Sequence, residues 1–224
     1  YGWRDSYYYD GYYIPATLKN VRITDATGIS ANAFYGCTMI ESLTLNEGMT
    51  TIYDKAFYTC TTLKSMVLPS SVTEVGSCAF YGCSNMASIT LSNLSKINEY
   101  TFYDCSSLDG VVLPETLTEI GNYSFSGCVG LTGITIPTAV TSIGRNAFSG
   151  CVDLTSITIP NTVTNIGQSA FSGCIGITEL ILPNGLQTIG QEAFKNMQLQ
   201  SIVVPNSVTN IGVGAFQGCP LESI

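Results

Sequence analysis

The 224-residue chain contains no histidine. That absence removes Ser-His-Asp and Cys-His catalytic arrangements, together with the commonest general base and the usual zinc ligand. Charge is scarce as well. Asp, Glu, Lys and Arg make up 11% of the residues, well under the ~25% usual in soluble domains, so solubility must rest on Ser, Thr and Asn. Eight basic residues against sixteen acidic ones leave a net charge of −8, which offers no clustered Lys and Arg footprint to a nucleic-acid backbone. No apolar run approaches the ~18–20 residues that span a bilayer, and neither an initiator Met nor a signal peptide opens the chain. The expectation is a mature fragment or a segment of something longer. What is present, 45% hydrophobic residues and 22 glycines, specifies a folded protein rather than a disordered one.

The hydrophobic residues are periodic. All nine Phe residues fall in one series, Phe34, Phe57, Phe80, Phe102, Phe125, Phe148, Phe171, Phe194 and Phe216, at intervals of 23 residues, twice 22. Three residues after each stands Cys37, Cys60, Cys83, Cys105, Cys128, Cys151, Cys174, then Met197, then Cys219. A fixed period of this length is the mark of a stacked repeat. Within each repeat, Leu-x-x-Ile-x-Ile (Leu131, Ile134, Ile136; Leu154, Ile157, Ile159) has strand spacing and often stops at a proline such as Pro137, Pro160 or Pro183. Val-Thr-x-Ile-Gly, as in Val163 to Gly167, is a second short extended piece, and Ala-Phe-x-Gly-Cys is long enough only for a helical turn. One such unit cannot bury its apolar side chains alone; stacked units bury them against each other. Ten strand openings, from Leu18, Val21 and Ile23 to Leu221 and Ile224, predict a stack ~45 Å long at ~4.8 Å per strand.

The run Ile-x-Ile-Pro-x-x-Val-Thr-x-Ile-Gly-x-x-Ala-Phe-x-Gly-Cys-x-x-Leu, best matched between residues 125 and 219, closely resembles the BspA-like leucine-rich repeat. The expected fold is a β-rich (α+β) repeat solenoid over residues 14–224, of about nine to ten rungs of ~22–23 residues, each with one or two short strands and a helical turn. Residues 1–13 (YGWRDSYYYDGYY) form a Tyr-rich N-terminal segment expected to cap the first rung, and the pattern ends mid-rung at Leu221–Ile224, so that end should continue or be covered. The stretch Leu91 to Phe102 (LSNLSKINEYTF) lacks both the Pro and the Gly and is one residue short, which predicts a local irregularity. The resemblance implies a surface or secreted protein that adheres or binds, with a protein (host, matrix or neighbouring subunit) or a surface glycan as partner; a structural spacer in a larger surface assembly is the alternative.

The regularly spaced cysteines are expected to be free, packed thiols. Residues 23 apart on a solenoid form a line, whereas thiolate zinc sites need convergence on one point. Parallel side chains ~4.8 Å apart exceed the ~3.8 Å at Cβ of a relaxed disulfide. Cys78 stands outside the series and has no evident partner. Gly212, Gly214 and Gly218 imitate a nucleotide-binding loop, but no long helix follows to hold a pyrophosphate. Glu99, Asp104, Asp109, Glu115 and Glu119 are the one acidic concentration; a solvated face is the simple reading, with a carboxylate pair for glycoside cleavage or a calcium site as alternatives. Asn93-Leu94-Ser95 and Asn122-Tyr123-Ser124 are glycosylation sequons only in a eukaryotic source. No catalytic residue, metal or cofactor is assigned.

Two surfaces are candidates for partner binding. The outward position of each strand carries Thr44, Val67, Thr90, Val112, Thr135, Thr158, Ile181 and Val203, β-branched as any exposed strand prefers, on a strip that in curved repeat proteins usually lines the concave face. The second is aromatic. Tyr35, Tyr58, Tyr81 and Tyr103 directly follow their Phe, where later rungs have Ser126, Ser149, Ser172, Lys195 and Gln217. Those four rings are expected to stack along one edge, either as a recognition stripe or as a ladder that includes Tyr53, Tyr100 and Tyr123 and stabilises the early rungs.

Overall fold

The computed structural model describes residues 18–223; the Tyr-rich segment 1–13 and its expected capping role lie outside them, as does Ile224. The short parallel strands lie in two rows along the stack, the first divided into three ladders and ending at Thr158, the second divided into two. The first row holds Asn20–Arg22, Ser42–Thr44, Ser65–Val67, Ser88–Thr90, Gly110–Val112, Gly133–Thr135 and Ser156–Thr158. The second row holds Gly28–Ile29, Thr51–Ile52, Glu74–Val75, Lys96–Ile97, Glu119–Ile120, Ser142–Ile143, Asn165–Ile166, Thr188–Ile189 and Asn210–Ile211. Pairing is in register: Ile134 lies beside Ile157, and Ile143 beside Ile166. Each residue therefore meets its own counterpart one rung away. The chain is a β-solenoid with a repeat of ~23 residues.

The core is a set of columns. Phe57, Phe80, Phe102, Phe125, Phe148, Phe171 and Phe194 have no solvent exposure, and successive rings from Phe34 to Phe216 stack at centroid distances of 5.2–5.9 Å with planes within 18°. Parallel columns of Cys, Leu, Val and Ile lie beside them, equally sealed from water.

The helical turn expected at Ala-Phe-x-Gly-Cys is not formed. Alternate amides are drawn along the stack instead: Asn146, Phe148 and Gly150 donate to the carbonyls of Gln168, Ala170 and Ser172 on the next rung, each at 2.8 Å. The amides between them close overlapping β-turns, Ala147 to Gly144, Ser149 to Asn146 and Cys151 to Phe148, at 3.2–3.3 Å. Two left-handed residues frame every Phe, two places before and two after, such as Asn146 (φ 51°) and Gly150 (φ 74°). A right-handed helix cannot pass through such residues.

The strand rows are less uniform than the repeat. Where the sequence places ten first-row strands, seven form among the described residues; Leu180–Leu182 and Ile202–Val204 join no ladder, and Ser201 bridges only Ser223. The repeat is shortened there between Met197 and Leu199, just before the place where the first row would resume. The other short repeat loses its residue between Leu91 and Leu94, just before the second row, and it is the second row that breaks, between Glu74–Val75 and Lys96–Ile97. In the regular rungs the glycine after Ile donates its amide to the previous rung, as Gly121 does to Ile97 and Gly144 to Ile120, at 2.8–2.9 Å. A Cβ at Gly144 or Gly167 would stand 2.7 Å from the backbone of the rung below, closer than packed atoms allow. Asn98 carries one, and its side-chain amide reaches the Val75 carbonyl at 2.7 Å, whereas Tyr53, which also carries one, keeps its backbone amide on the Ile29 carbonyl at 2.9 Å.

Candidate functional site

Tyr35, Tyr58, Tyr81 and Tyr103 lie outside the Phe column, half-buried, and form a continuous stack. Successive centroids are 4.7, 4.6 and 4.7 Å apart, with planes 7°, 9° and 13° from parallel. The rung spacing sets the ring spacing. At Phe102 the band changes column: Tyr100 sits two places before that Phe, 5.6 Å from Tyr103 and 4.6 Å from Tyr123, and the Arg145 guanidinium lies 5.7 Å over the Tyr123 ring. Tyr100 and Tyr123 occupy left-handed positions, with φ of 57° and 54°. Their shared phase in the repeat was the available signal, whereas nothing in the periodicity marks Arg145. Tyr53 is exposed, four places before Phe57.

Burial, and then the neighbouring phenols of Tyr58 and Tyr103, push the Tyr81 phenol up to about 12. It stays neutral at physiological pH. Face-to-face stacking covers the flat sides of the inner rings, so the surface presents ring edges and hydroxyls rather than open faces. In later rungs the same position does something else. Ser126 and Ser149 donate their hydroxyls to the carbonyls of Ser149 and Ser172 on the following rungs, both at 3.2 Å.

The strand strip is outward along its full length. Val67, Val112, Ile181 and Val203 are 69%, 66%, 87% and 82% exposed, and Thr44, Thr90, Thr135 and Thr158 are exposed beside them. Ile181 and Val203 belong to the stretches that join no ladder. Two shallow depressions lie where the first row is interrupted, one bordered by Thr44, Val67 and Pro69, the other by Val112, Glu115, Thr135 and Thr158.

The cysteines are free. Each ladder thiol except Cys37 donates to the Phe carbonyl of the preceding rung, from Cys60 to Phe34 through Cys174 to Phe148 and Cys219 to Phe194, at 3.0–3.1 Å. Sequence reasoning treated these thiols as volume; they are also donors, a role Met197 cannot fill. Burial pushes every ladder thiol up, Cys174 to about 12 and the half-buried Cys37 to about 11. Cys78 holds a left-handed position, φ 57°, and is half-buried. The acidic residues disperse: Asp109 accepts from the Thr132 amide at 3.2 Å and hydroxyl at 2.7 Å, and Glu119 pairs with Lys96 at 2.9 Å. Among the described residues no three His, Cys, Asp or Glu side chains are grouped to hold a metal ion, and no helix is long and apolar enough to cross a membrane.

In-register strand rows, a Phe column and Leu, Ile and Cys columns at one period define the class as a leucine-rich repeat solenoid. More narrowly, the chain belongs to the BspA-type leucine-rich repeat family, whose model matches six copies over residues 27–151 and 95–223. A leucine-rich cell surface protein of Faecalibacterium prausnitzii is similar in structure, with a TM-score of 0.61 and 25% identity over 92% of this chain and 60% of that one. The leucine-rich repeat protein of T. pallidum superposes with a TM-score of 0.61 and 33% identity over 77% of this chain and 71% of that one. The pneumococcal vaccine antigen PcpA, 20% identical with a TM-score of 0.60 over 92% of this chain and 62% of that one, shares the fold. The chain thus spans about three fifths of the Faecalibacterium protein. No curated protein matches it in sequence.

Proposed function

We propose that this chain is a non-enzymatic binding module, displayed outside a bacterial cell, that engages a protein partner through its tyrosine band. One observation carries the reading: the residue after Phe is a half-buried Tyr in four consecutive early rungs, while the next three rungs place there a Ser, and the hydroxyls of Ser126 and Ser149 serve the backbone. The fold is satisfied by Ser, so the rings answer another requirement. Tyrosine supplies contact area at little conformational cost and is enriched where proteins meet. Covered ring faces favour a protein over a sugar, which would stack on an open face. Similarity to a cell surface protein supports the location, and the absence of histidine supports the non-enzymatic reading.

The strand strip is the second reading, favoured by its four protruding aliphatic side chains. Both are tested on a panel of immobilised extracellular matrix proteins and surface glycans. Replacing Tyr58 and Tyr81 by Ser should weaken a captured protein ligand about tenfold or more, since buried interface tyrosines are frequent hot spots, with a small change in melting temperature. Undiminished binding together with a large loss of stability would make the band a structural ladder. Loss of binding confined to Thr135→Lys/Thr158→Lys would move the site to the strip, and a chain that binds nothing on the panel would return the spacer reading.

A further inference from the structure

We propose that the tyrosine band is a site of oxidative cross-linking, where phenols on neighbouring rungs join ring carbon to ring carbon under a one-electron oxidant of the haem-peroxidase and hydrogen-peroxide class. Two phenoxyl radicals couple only when they meet, and on separate molecules that meeting is the slow step. Here Tyr35, Tyr58, Tyr81 and Tyr103 are held 4.6–4.7 Å apart and within 13° of parallel, so the partner is already in place. The rings are half-buried, open to an oxidant along their edges, where the carbons next to the phenol oxygen lie.

The surroundings direct the chemistry. The Phe column beside the band has no phenol and no solvent exposure from Phe57 to Phe194. Of the thiols that would compete for the oxidant, Cys60, Cys83, Cys105, Cys128, Cys151 and Cys174 have no exposure, while Cys37, two residues after Tyr35, and Cys219 are half-buried. Cys78, half-buried, holds on the preceding rung the same left-handed position that Tyr100 holds, both with φ of 57°, so a radical on the Tyr100–Tyr123 pair has a thiol reductant one rung away. Coupling is therefore expected on the other column, at the pairs 35–58, 58–81 and 81–103.

The step balances. Each of two phenols loses one electron and its hydroxyl proton. The two radicals form one carbon–carbon bond between positions ortho to oxygen, and the ring hydrogens displaced there return to the oxygens by tautomerisation through solvent. Two electrons and two protons convert one hydrogen peroxide to two waters. The product is the chain less two hydrogens, with rungs 22 or 23 residues apart covalently joined. This inference is independent of the binding reading.

The test treats the full chain with peroxidase and hydrogen peroxide, isolates monomer, and maps coupled peptides by mass spectrometry. The expected result is dityrosine fluorescence in the monomer band, peptides joined at 35–58, 58–81 or 81–103 with the loss of two hydrogen masses, and an upward shift of the melting temperature. The same treatment in urea should lose that pairing. Tyr81→Phe keeps the ring and the stack but has no phenol, so it should abolish the 58–81 and 81–103 links and retain 35–58. Coupling only between chains, coupling confined to residues 1–13, or a pairing pattern unchanged by urea or by Tyr81→Phe would overturn the proposal.

Discussion

Alkaline solution should unfold this protein well before its backbone or its ion pairs are affected. Cys60, Cys83, Cys105, Cys128, Cys151 and Cys174 have no solvent exposure, and each donates its S–H in a hydrogen bond to a Phe carbonyl. Desolvation raises each of them in the fold, so they stay protonated far above the value of ~8.5 at which thiols ionise in an unfolded chain. The sign follows from proton counting. Below ~8.5 both states hold the proton and nothing is lost; above it the unfolded state releases protons that the folded state keeps, so stability falls as pH rises. At about pH 9.5 each thiol costs about 1.4 kcal/mol, or about 8 kcal/mol for six, against the roughly 5–15 kcal/mol that stabilises an ordinary domain. Circular-dichroism melts in reducing buffer from pH 7.5 to 10.5 should show a steep drop beginning near 9. Cys105→Ala/Cys128→Ala should be less stable at neutral pH yet lose about a third of the slope. A melting temperature flat between pH 8 and 10, or an unchanged slope in the double variant, would refute the reasoning.

The Ser124 hydroxyl is buried with no partner, at a place where other rungs use Ala147, Ala170 or Ala193; Ser124→Ala should gain about 1 kcal/mol, and a lower melting temperature would mean that the hydroxyl is satisfied. The Glu41 carboxyl, held at about 2 by a hydrogen bond from Lys19 and then by Lys64, contributes stability that is complete above the unfolded value of ~4.3 and lost as pH falls towards 2. An NMR titration should show that depression at low salt and its relaxation at about 1 M salt; an ordinary carboxylate value at low salt would count against the pairing. Thiol titration should find nine sulfhydryls in denaturant and fast reaction in the native protein only at Cys37, Cys78 and Cys219, and immediate reaction of the others would show that the columns open readily.

Period and phase were readable from the amino acids alone because a stacked repeat makes each residue its own neighbour. Phe, Cys and Leu positions translate directly into columns, and the outward positions from Thr44 to Val203 into an exposed strip. The Tyr series could be placed on one edge for the same reason. What escaped was the direction of backbone hydrogen bonds. Ala-Phe-x-Gly-Cys reads as a helical turn when only its length is considered, since nothing in one rung's composition shows that Phe148 and Gly150 will donate along the stack. The left-handed positions are also filled by Tyr100, Tyr123, Lys55 and Glu192 as well as by Gly and Asn, which hides them from any rule keyed to glycine. The thiol donors were missed because Cys is usually read as a small hydrophobe or a reactive group.

Those same hydrogen bonds identify the spine of the solenoid, and it is not the strands. The first row lapses after Thr158, and the second row breaks beside Asn98. The turn column does neither. Across the short rung, Cys78, Phe80 and Gly82 donate to Glu99, Thr101 and Tyr103 at 2.7–3.0 Å; at the far end, Glu192, Phe194 and Asn196 donate to Val213, Ala215 and Gln217 at 2.8–3.0 Å. With the Phe stack inside and the thiol-to-carbonyl bonds beside it, each interface is fixed from the turn side whether or not its strands pair. A residue can therefore be lost between Leu91 and Leu94, or between Met197 and Leu199, without disturbing the next Phe. The tyrosine band rides on this spine. Its passage from Tyr81 to Tyr103 crosses the rung where the second strand row fails, yet the ring spacing there, 4.7 Å, matches the 4.7 Å between Tyr35 and Tyr58. A recognition or cross-linking surface that needs constant spacing is placed where the ring spacing stays at 4.6–4.7 Å from Tyr35 to Tyr103.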